Sequence, residues 1–330
     1  MTQLEIAERP RWPGLALTSP SVLVPLVALV VLALLPAVVN RADVLILLFL
    51  VFLGVTLSQS WNVLGGFAGQ VNLGHAAFFG IGAVVARSTW IGGWPYALSF
   101  ASGGIVALAF AMVIGVPTFR LRGTYFAIGT LGLAEVLRIT TANALPAVSS
   151  MPPPFVAAYD LTLRYELALW LAAACVGVSA WLLRSRVGLG MLAIREDEQA
   201  AQATGVGALR HKIVALGLSS LFAGLAGSVF AFYHVSYYPE LPFEPTWTFD
   251  SVLPVYVGGI GTLWGPVIGA ALYVIIRQQL EISLPQAHQI IFGLLFILVV
   301  LMFPGGLVQA VRSAAHSPRL AGLRLGKRSG

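Results

Sequence analysis

The chain has 330 residues, of which 58% are hydrophobic and only 10% charged, with a mean hydropathy of +0.87. That is too apolar for a soluble domain, and a single cysteine, Cys175, excludes an intrachain disulfide. The net charge of +6 is not gathered into a basic stripe interleaved with exposed aromatics, so it speaks against nucleic acid as a partner and describes membrane topology instead.

A hydrocarbon core about 30 Å thick needs roughly 20 apolar residues per helix. On that length the chain reads as an all-α polytopic membrane protein of about ten transmembrane helices, near 22–39, 44–64, 70–90, 95–117, 124–145, 165–183, 212–234, 247–261, 264–281 and 289–308. Residues 1–20 read as a cytoplasmic segment, 21–311 as the transmembrane domain, and 312–330 as a basic cytoplasmic tail anchoring topology at the lipid headgroups. The first apolar run is long and lacks a small-x-small cleavage site, so it reads as a span and not a secretory signal. The segments 247–261 and 264–281 are short and divided only by a Gly-rich stretch, and can equally be one broken element.

The second and third spans are joined by Gly65-Gly66-Phe67-Ala68-Gly69-Gln70-Val71-Asn72-Leu73-Gly74-His75. Irregular backbone at membrane depth is tolerated only when buried in protein or lining a cavity. Asn62, Gln70, Asn72 and His75 are costly against lipid, so either they satisfy the freed backbone of their own turn or they line a translocation pathway. A metal site is not indicated, because His75 has no second His or Cys at ligand spacing. In the fifth span Thr130 adds a neutral polar group, and Glu135 and Arg138, three apart, share a helix face where they can pair. Gly103, Ala107, Ala111 and Gly115 recur every four residues, as do Ala223, Gly227 and Ala231, which predicts close helix packing in lipid. Arg87 and Arg277 are expected at interfaces, and Asp250 in an acidic outer loop with Asp160, Glu166, Glu240 and Glu244. The remaining polar groups of the spans are neutral, which predicts a weakly ionic passage.

The stretch 184–212 cannot sit in hydrocarbon, where each central charge costs roughly 2.5 to 3.5 kcal/mol. The sequence predicts one short cytoplasmic helix over 194–206, with Ile194, Arg195, Glu196, Asp197 and Glu198 at its start, Ala200 and Ala201 on a close-approach face, and Gly205 as a left-handed cap. With this loop inside, ten spans place both termini inside, and most of the 19 Lys and Arg residues fall in inward segments.

The wording Arg195-Glu196-Asp197-Glu198-x-Ala200-Ala201-x-Ala203-x-Gly205-Val206 resembles the coupling loop of the ABC-importer permeases that carry branched-chain amino acids. The runs 69–83, 121–128, 222–227, 258–270 and 303–307 resemble the same family, specifically its M-type subunit, over about 45–308. The resemblance implies an ABC importer permease fold in a bacterial inner (plasma) membrane, half of a pore completed by a sister permease. It also implies two ATPase subunits docked on the 194–206 helix and an external solute-binding protein that delivers cargo. No cofactor is expected in this chain, ATP and magnesium belonging to the ATPase subunits, and no enzyme activity. The sequence has no Gly-x-x-x-x-Gly-Lys-[Ser/Thr] loop, and no nucleophile with a base and orienter at recognisable spacing. An ion-driven secondary transporter would need no coupling helix. Where relatives carry a Thr-Gly-Gly type segment, this chain has Asn143 to Ser150 followed by Met151-Pro152-Pro153-Pro154, which leaves urea and short-chain amides as alternative cargo.

Overall fold

In hydrocarbon a backbone N–H finds no water, so the chain must pair its own polar groups, and helices do this within one segment. A computed structural model describes residues 20–39, 41–145, 147–283, 291, 293 and 294, which divide into two compact units, 1–40 and 41–330. The first contains helix α1 (Pro20–Val38), in which Pro25 and Pro36 each remove a backbone donor. The expected span 289–308, the Phe303–Leu307 motif and both terminal segments fall outside the described residues, apart from three positions near 291–294.

The second unit is built from α2 (Ala42–Asn62), α3 (His75–Ile91), α4 (Tyr96–Thr118), α5 (Thr124–Ala144), α7 (Leu161–Arg184), α10 (Ala208–Tyr233), α11 (Pro245–Gly258) and α12 (Gly265–Ser283). Short helices α6 (Pro153–Ala157), α8 (Arg186–Glu196) and α9 (Glu198–Ala203) join them, with a two-residue antiparallel pairing of β1 (Ser149–Ser150) and β2 (Ser236–Tyr237). Among the described residues four segments are by themselves long and apolar enough to cross a membrane: Ala42–Phe67, Tyr96–Thr118, Leu161–Arg184 and Ala208–Tyr233. Helices α3 and α11 are short, at 17 and 14 residues. The expected spans 247–261 and 264–281 form two helices turning back on each other at the Gly-rich link.

Helix α10 is the hub, packing against α2, α3, α4 and α7. Its small residues permit this. A Cβ at Gly227 would meet the Phe79 carbonyl and the Ala83 nitrogen of α3, and one at Gly224 would meet Ala107 and the Gly103 carbonyl of α4. Gly103, Ala107, Ala111 and Gly115 are all buried, so the every-four spacing does mark a packing face. The α11–α12 hairpin closes in the same way, Gly265 lying on Gly258 and Gly269 on Pro254.

At the end of α10 away from the 184–212 loop, the terminal carbonyls that lack intrahelical partners are taken by two buried arginines. Arg87, only 2% exposed, donates to the carbonyls of Ala231 (3.0 Å), Val235 (2.8 Å) and Ser149 (3.0 Å) and to Ser149 Oγ. Arg164 donates to the carbonyls of Phe232 (2.7 Å) and Asp160 (2.8 Å), and lies over the Tyr159 ring. The Tyr159 hydroxyl donates to the Tyr233 carbonyl. Arg87 is therefore a buried clamp and not the interfacial anchor its position in the sequence suggests.

Candidate functional site

Ser185 caps α8 by accepting from the Gly188 N–H, and α8 then runs only to Glu196. The single helix expected over 194–206 is broken at Asp197, whose extended backbone (φ −155°) lets its carboxylate accept from the N–H groups of Gln199 (2.8 Å) and Ala200 (3.0 Å). Asp197 is thus the N-cap of α9, Glu196 ends α8, and only Glu198 lies in the first turn of α9. Gly205 does take the left-handed conformation, φ +88°.

This loop is a small module with its own core. Ile194, Ala201 and Ala208 are buried together, with Val206 packed against them. Ile194 and Ala201 therefore hold the module together and offer no surface. Glu196, Asp197, Ala200 and Gly205 are exposed. Lys212, nearly buried on α10, pairs with Glu198 at 2.7 Å and ties α9 to the start of that helix.

Arg195 leaves the module. Its Nη1 donates to the Gly66 carbonyl at 2.8 Å, on a wide π turn (Val63–Phe67) that continues α2. Its backbone lies against Gly69 (φ +69°) and its guanidinium against Gly261 (φ +75°), where any side chain would collide with it. Asn62, fully buried, joins the same two turns: Nδ2 donates to the Thr262 carbonyl and Oδ1 accepts from the Gly261 N–H, both at 2.9 Å. The 184–212 loop, the α2 turn and the α11–α12 turn thus meet at one point, joined by a cation, an amide and three glycines.

Beside this junction the chain 68–74 folds back under α2. Trp61 Nε1 donates to the Asn72 carbonyl (2.7 Å), Asn72 Oδ1 accepts from the Gly74 N–H (2.8 Å), and the Ser60 hydroxyl and His75 Nε2 share a hydrogen bond (2.9 Å). Thr130 Oγ1 accepts from the Leu73 N–H, and Thr248 Oγ1 accepts from the Ala76 N–H at the start of α3. Asn62, Asn72, His75 and Thr130 are therefore buried members of one polar turn system. Gln70 is half-buried and donates to the Ala68 carbonyl.

Glu135 and Arg138 stand apart from that system. They pair through two hydrogen bonds, 2.6 and 2.9 Å, with side chains 39% and 33% exposed. A lone charge in that position is worse than none, since insertion of one costs roughly 2.5 to 3.5 kcal/mol. Glu135→Gln or Arg138→Gln alone should lower the amount of chain recovered from membranes, and the double variant should restore most of it. Double-variant yields no better than the single ones would remove the pairing account.

Asp250 is not in an outer loop. It lies inside α11, bonded to Arg277 and to the Tyr273 hydroxyl of α12, while Arg277 Nε also donates to Glu281 at 2.8 Å. The Arg277–Glu281 half follows helix spacing and was readable. The Asp250 half crosses a hairpin and carries no local signal. The spans are therefore less neutral than the sequence suggests.

Residues 43–300 match the family model described as "Branched-chain amino acid transport system / permease component". Among known proteins, the chain is 31% identical to the high-affinity branched-chain amino acid transport system permease protein LivM of Escherichia coli K12, covering 87% of this chain and 75% of that protein. The LivM of Salmonella typhimurium LT2 is 30% identical with the same coverage, and a probable LivM of Methanocaldococcus jannaschii is 26% identical over 76% of this chain and 89% of that protein. No solved structure matches. With the family model matching most of the chain and 31% identity to LivM over 87% of it, on a helical bundle with four long apolar segments among the described residues, the chain belongs to the branched-chain amino acid transport system permease family.

Proposed function

We propose that the protein is the M-type membrane subunit of an ATP-driven importer of branched-chain amino acids. It forms half of the pore with a sister permease, sits in the bacterial inner membrane with both termini in the cytoplasm, and receives leucine, isoleucine or valine from an external binding protein. Two ATPase subunits, which hold ATP and magnesium, engage the exposed residues Glu196, Asp197, Ala200 and Gly205. Asn62, Gln70, Asn72, His75, Thr130, Glu135 and Arg138 belong to the translocating half, the first five by shaping the turns through which movement passes.

The observation that carries this reading is the Arg195 bond to Gly66, which ties the loop module directly to the turn that continues α2. Arg195→Ala removes a charge-assisted hydrogen bond, roughly 1.5 to 3 kcal/mol, without touching the buried Ile194–Ala201–Ala208 core. In proteoliposomes holding the whole transporter, the variant should assemble and bind the ATPase subunits. Stimulation of ATP hydrolysis by the loaded binding protein should fall at least fivefold. Full stimulation in an assembled Arg195→Ala transporter would remove the coupling role.

A further inference from the structure

Beside the loop module, α8 and the first turn of α10 border a recess of about 680 Å³. Arg186 of α8 and Arg210 of α10 both line it, together with Leu189 and His211, and no acidic side chain does. His211 is fixed there: Nδ1 donates to the Gly207 carbonyl at 2.8 Å, and Nε2 lies where a Cβ on Gly190 would come within 2.4 Å of it. Both arginines are exposed, and neither makes an ion pair or a side-chain hydrogen bond among the described residues. Lys212, two residues further along α10, is answered by Glu198 at 2.7 Å. The two guanidiniums border one space with no counter-charge from the chain.

We propose that this recess binds a phosphate group, supplied by the headgroup of an anionic phospholipid. A guanidinium meets phosphate oxygens through paired N–H donors, and two guanidiniums suit a tetrahedral anion with several oxygens better than a carboxylate with two. The positive end of the α10 dipole, which Gly207 leaves without a side-chain cap, adds to the same attraction. The level of the recess selects the lipid as the source. Leu161–Arg184 and Ala208–Tyr233 are both long and apolar enough to cross a membrane. Arg186 follows the end of the first and Arg210 stands in the opening turn of the second, so both lie where an apolar core gives way to headgroups. Trp181, 63% exposed in the last turn of α7, is of the kind enriched at that level, and Leu189, 47% exposed on the recess, can meet an acyl chain. Gly205 also lines the recess, which therefore borders the surface given above to the ATPase subunits. An anionic lipid held here would bridge α8 and α10 and make the seating of the module depend on membrane composition.

The test uses the whole transporter in nanodiscs of phosphatidylcholine, alone or mixed with phosphatidylglycerol. Leu189→Cys places a thiol on the lining, and the natural Cys175 is buried. Its alkylation by uncharged N-ethylmaleimide, read by mass spectrometry on this chain's own peptide, should be slowed at least threefold by phosphatidylglycerol. Adding Arg186→Gln and Arg210→Gln should abolish the slowing. Equal rates in the two lipids overturn the proposal. Slowing by inorganic phosphate in phosphatidylcholine discs, as strong as that by phosphatidylglycerol, supports the phosphate site and overturns the lipid as its source. Slow alkylation in every lipid, with or without the arginines, means that an ATPase subunit covers the recess and overturns the proposal. If Leu189→Cys does not assemble, native mass spectrometry of the transporter decides. A phosphatidylglycerol adduct should outlast a phosphatidylcholine one, and should not do so in the Arg186→Gln, Arg210→Gln variant; equal adducts overturn the proposal. Neither readout involves transport, so a failure here leaves the importer reading standing.

Discussion

Gly227→Leu is expected to leave almost no assembled protein. A Cβ at this position would penetrate the Phe79 carbonyl oxygen and lie 2.8 Å from the Ala83 nitrogen, and both are backbone atoms of α3 that no rotamer change can move aside. Overpacking of a core ordinarily costs about 1 to 3 kcal/mol because side chains give way. Here two helix backbones would have to separate, at the crossing on which α10 organises its neighbours, in a medium where close packing is itself the driving force. Gly177→Leu is the matched control, since nothing lies within 4 Å of its Cβ position. Size-exclusion chromatography of detergent-extracted protein should give a normal peak for Gly177→Leu and an aggregate or nothing for Gly227→Leu. Equal peaks would show that the α3–α10 crossing is not as tight as described.

The second large effect is expected at Arg87. Arg87→Leu fits the buried volume but abandons the Ala231 carbonyl and takes one donor each from the carbonyls of Ser149, in the β1–β2 pairing, and Val235, which keeps its bond from the Met151 N–H. Each buried group left unpaired costs about 1 to 3 kcal/mol. The loss also removes a cation from the negative end of the α10 dipole. The melting midpoint of the detergent-solubilised protein should fall clearly, and Arg87→Lys should recover only part, since one ammonium cannot span the Ala231, Val235 and Ser149 acceptors together. A midpoint for Arg87→Leu equal to the wild type would mean that the clamp bears no load.

What the sequence disclosed and what it hid follow from the range of the interactions. Periodic signals are local, so the helical class, the Gly103–Gly115 and Ala223–Ala231 packing faces and the left-handed Gly205 were all readable. The break at Asp197 was also local, but three consecutive acids satisfy a first-turn pattern as well as a cap does. Only the extended backbone of Asp197 separates the two. Asn62 was recognised as costly in lipid, yet its partners are about 200 residues away, and no spacing rule reaches that far. The same holds for Arg195 with Gly66 and for Asp250 with Arg277. Arg87 was misplaced for a related reason: its partners are carbonyls, which every residue has, so its burial leaves no mark in composition.

Arg87 and Arg164 grip α10 through backbone carbonyls. Salt bridges to Asp or Glu fail in acid because the carboxylate takes up a proton, but a backbone carbonyl has no such transition, and the guanidinium stays charged throughout. The carbonyls of Ala231, Phe232 and Val235 are held by groups that do not titrate. The hold of these two arginines on α10 therefore does not depend on a titrating partner. It is the same in mildly acidic and in mildly alkaline surroundings.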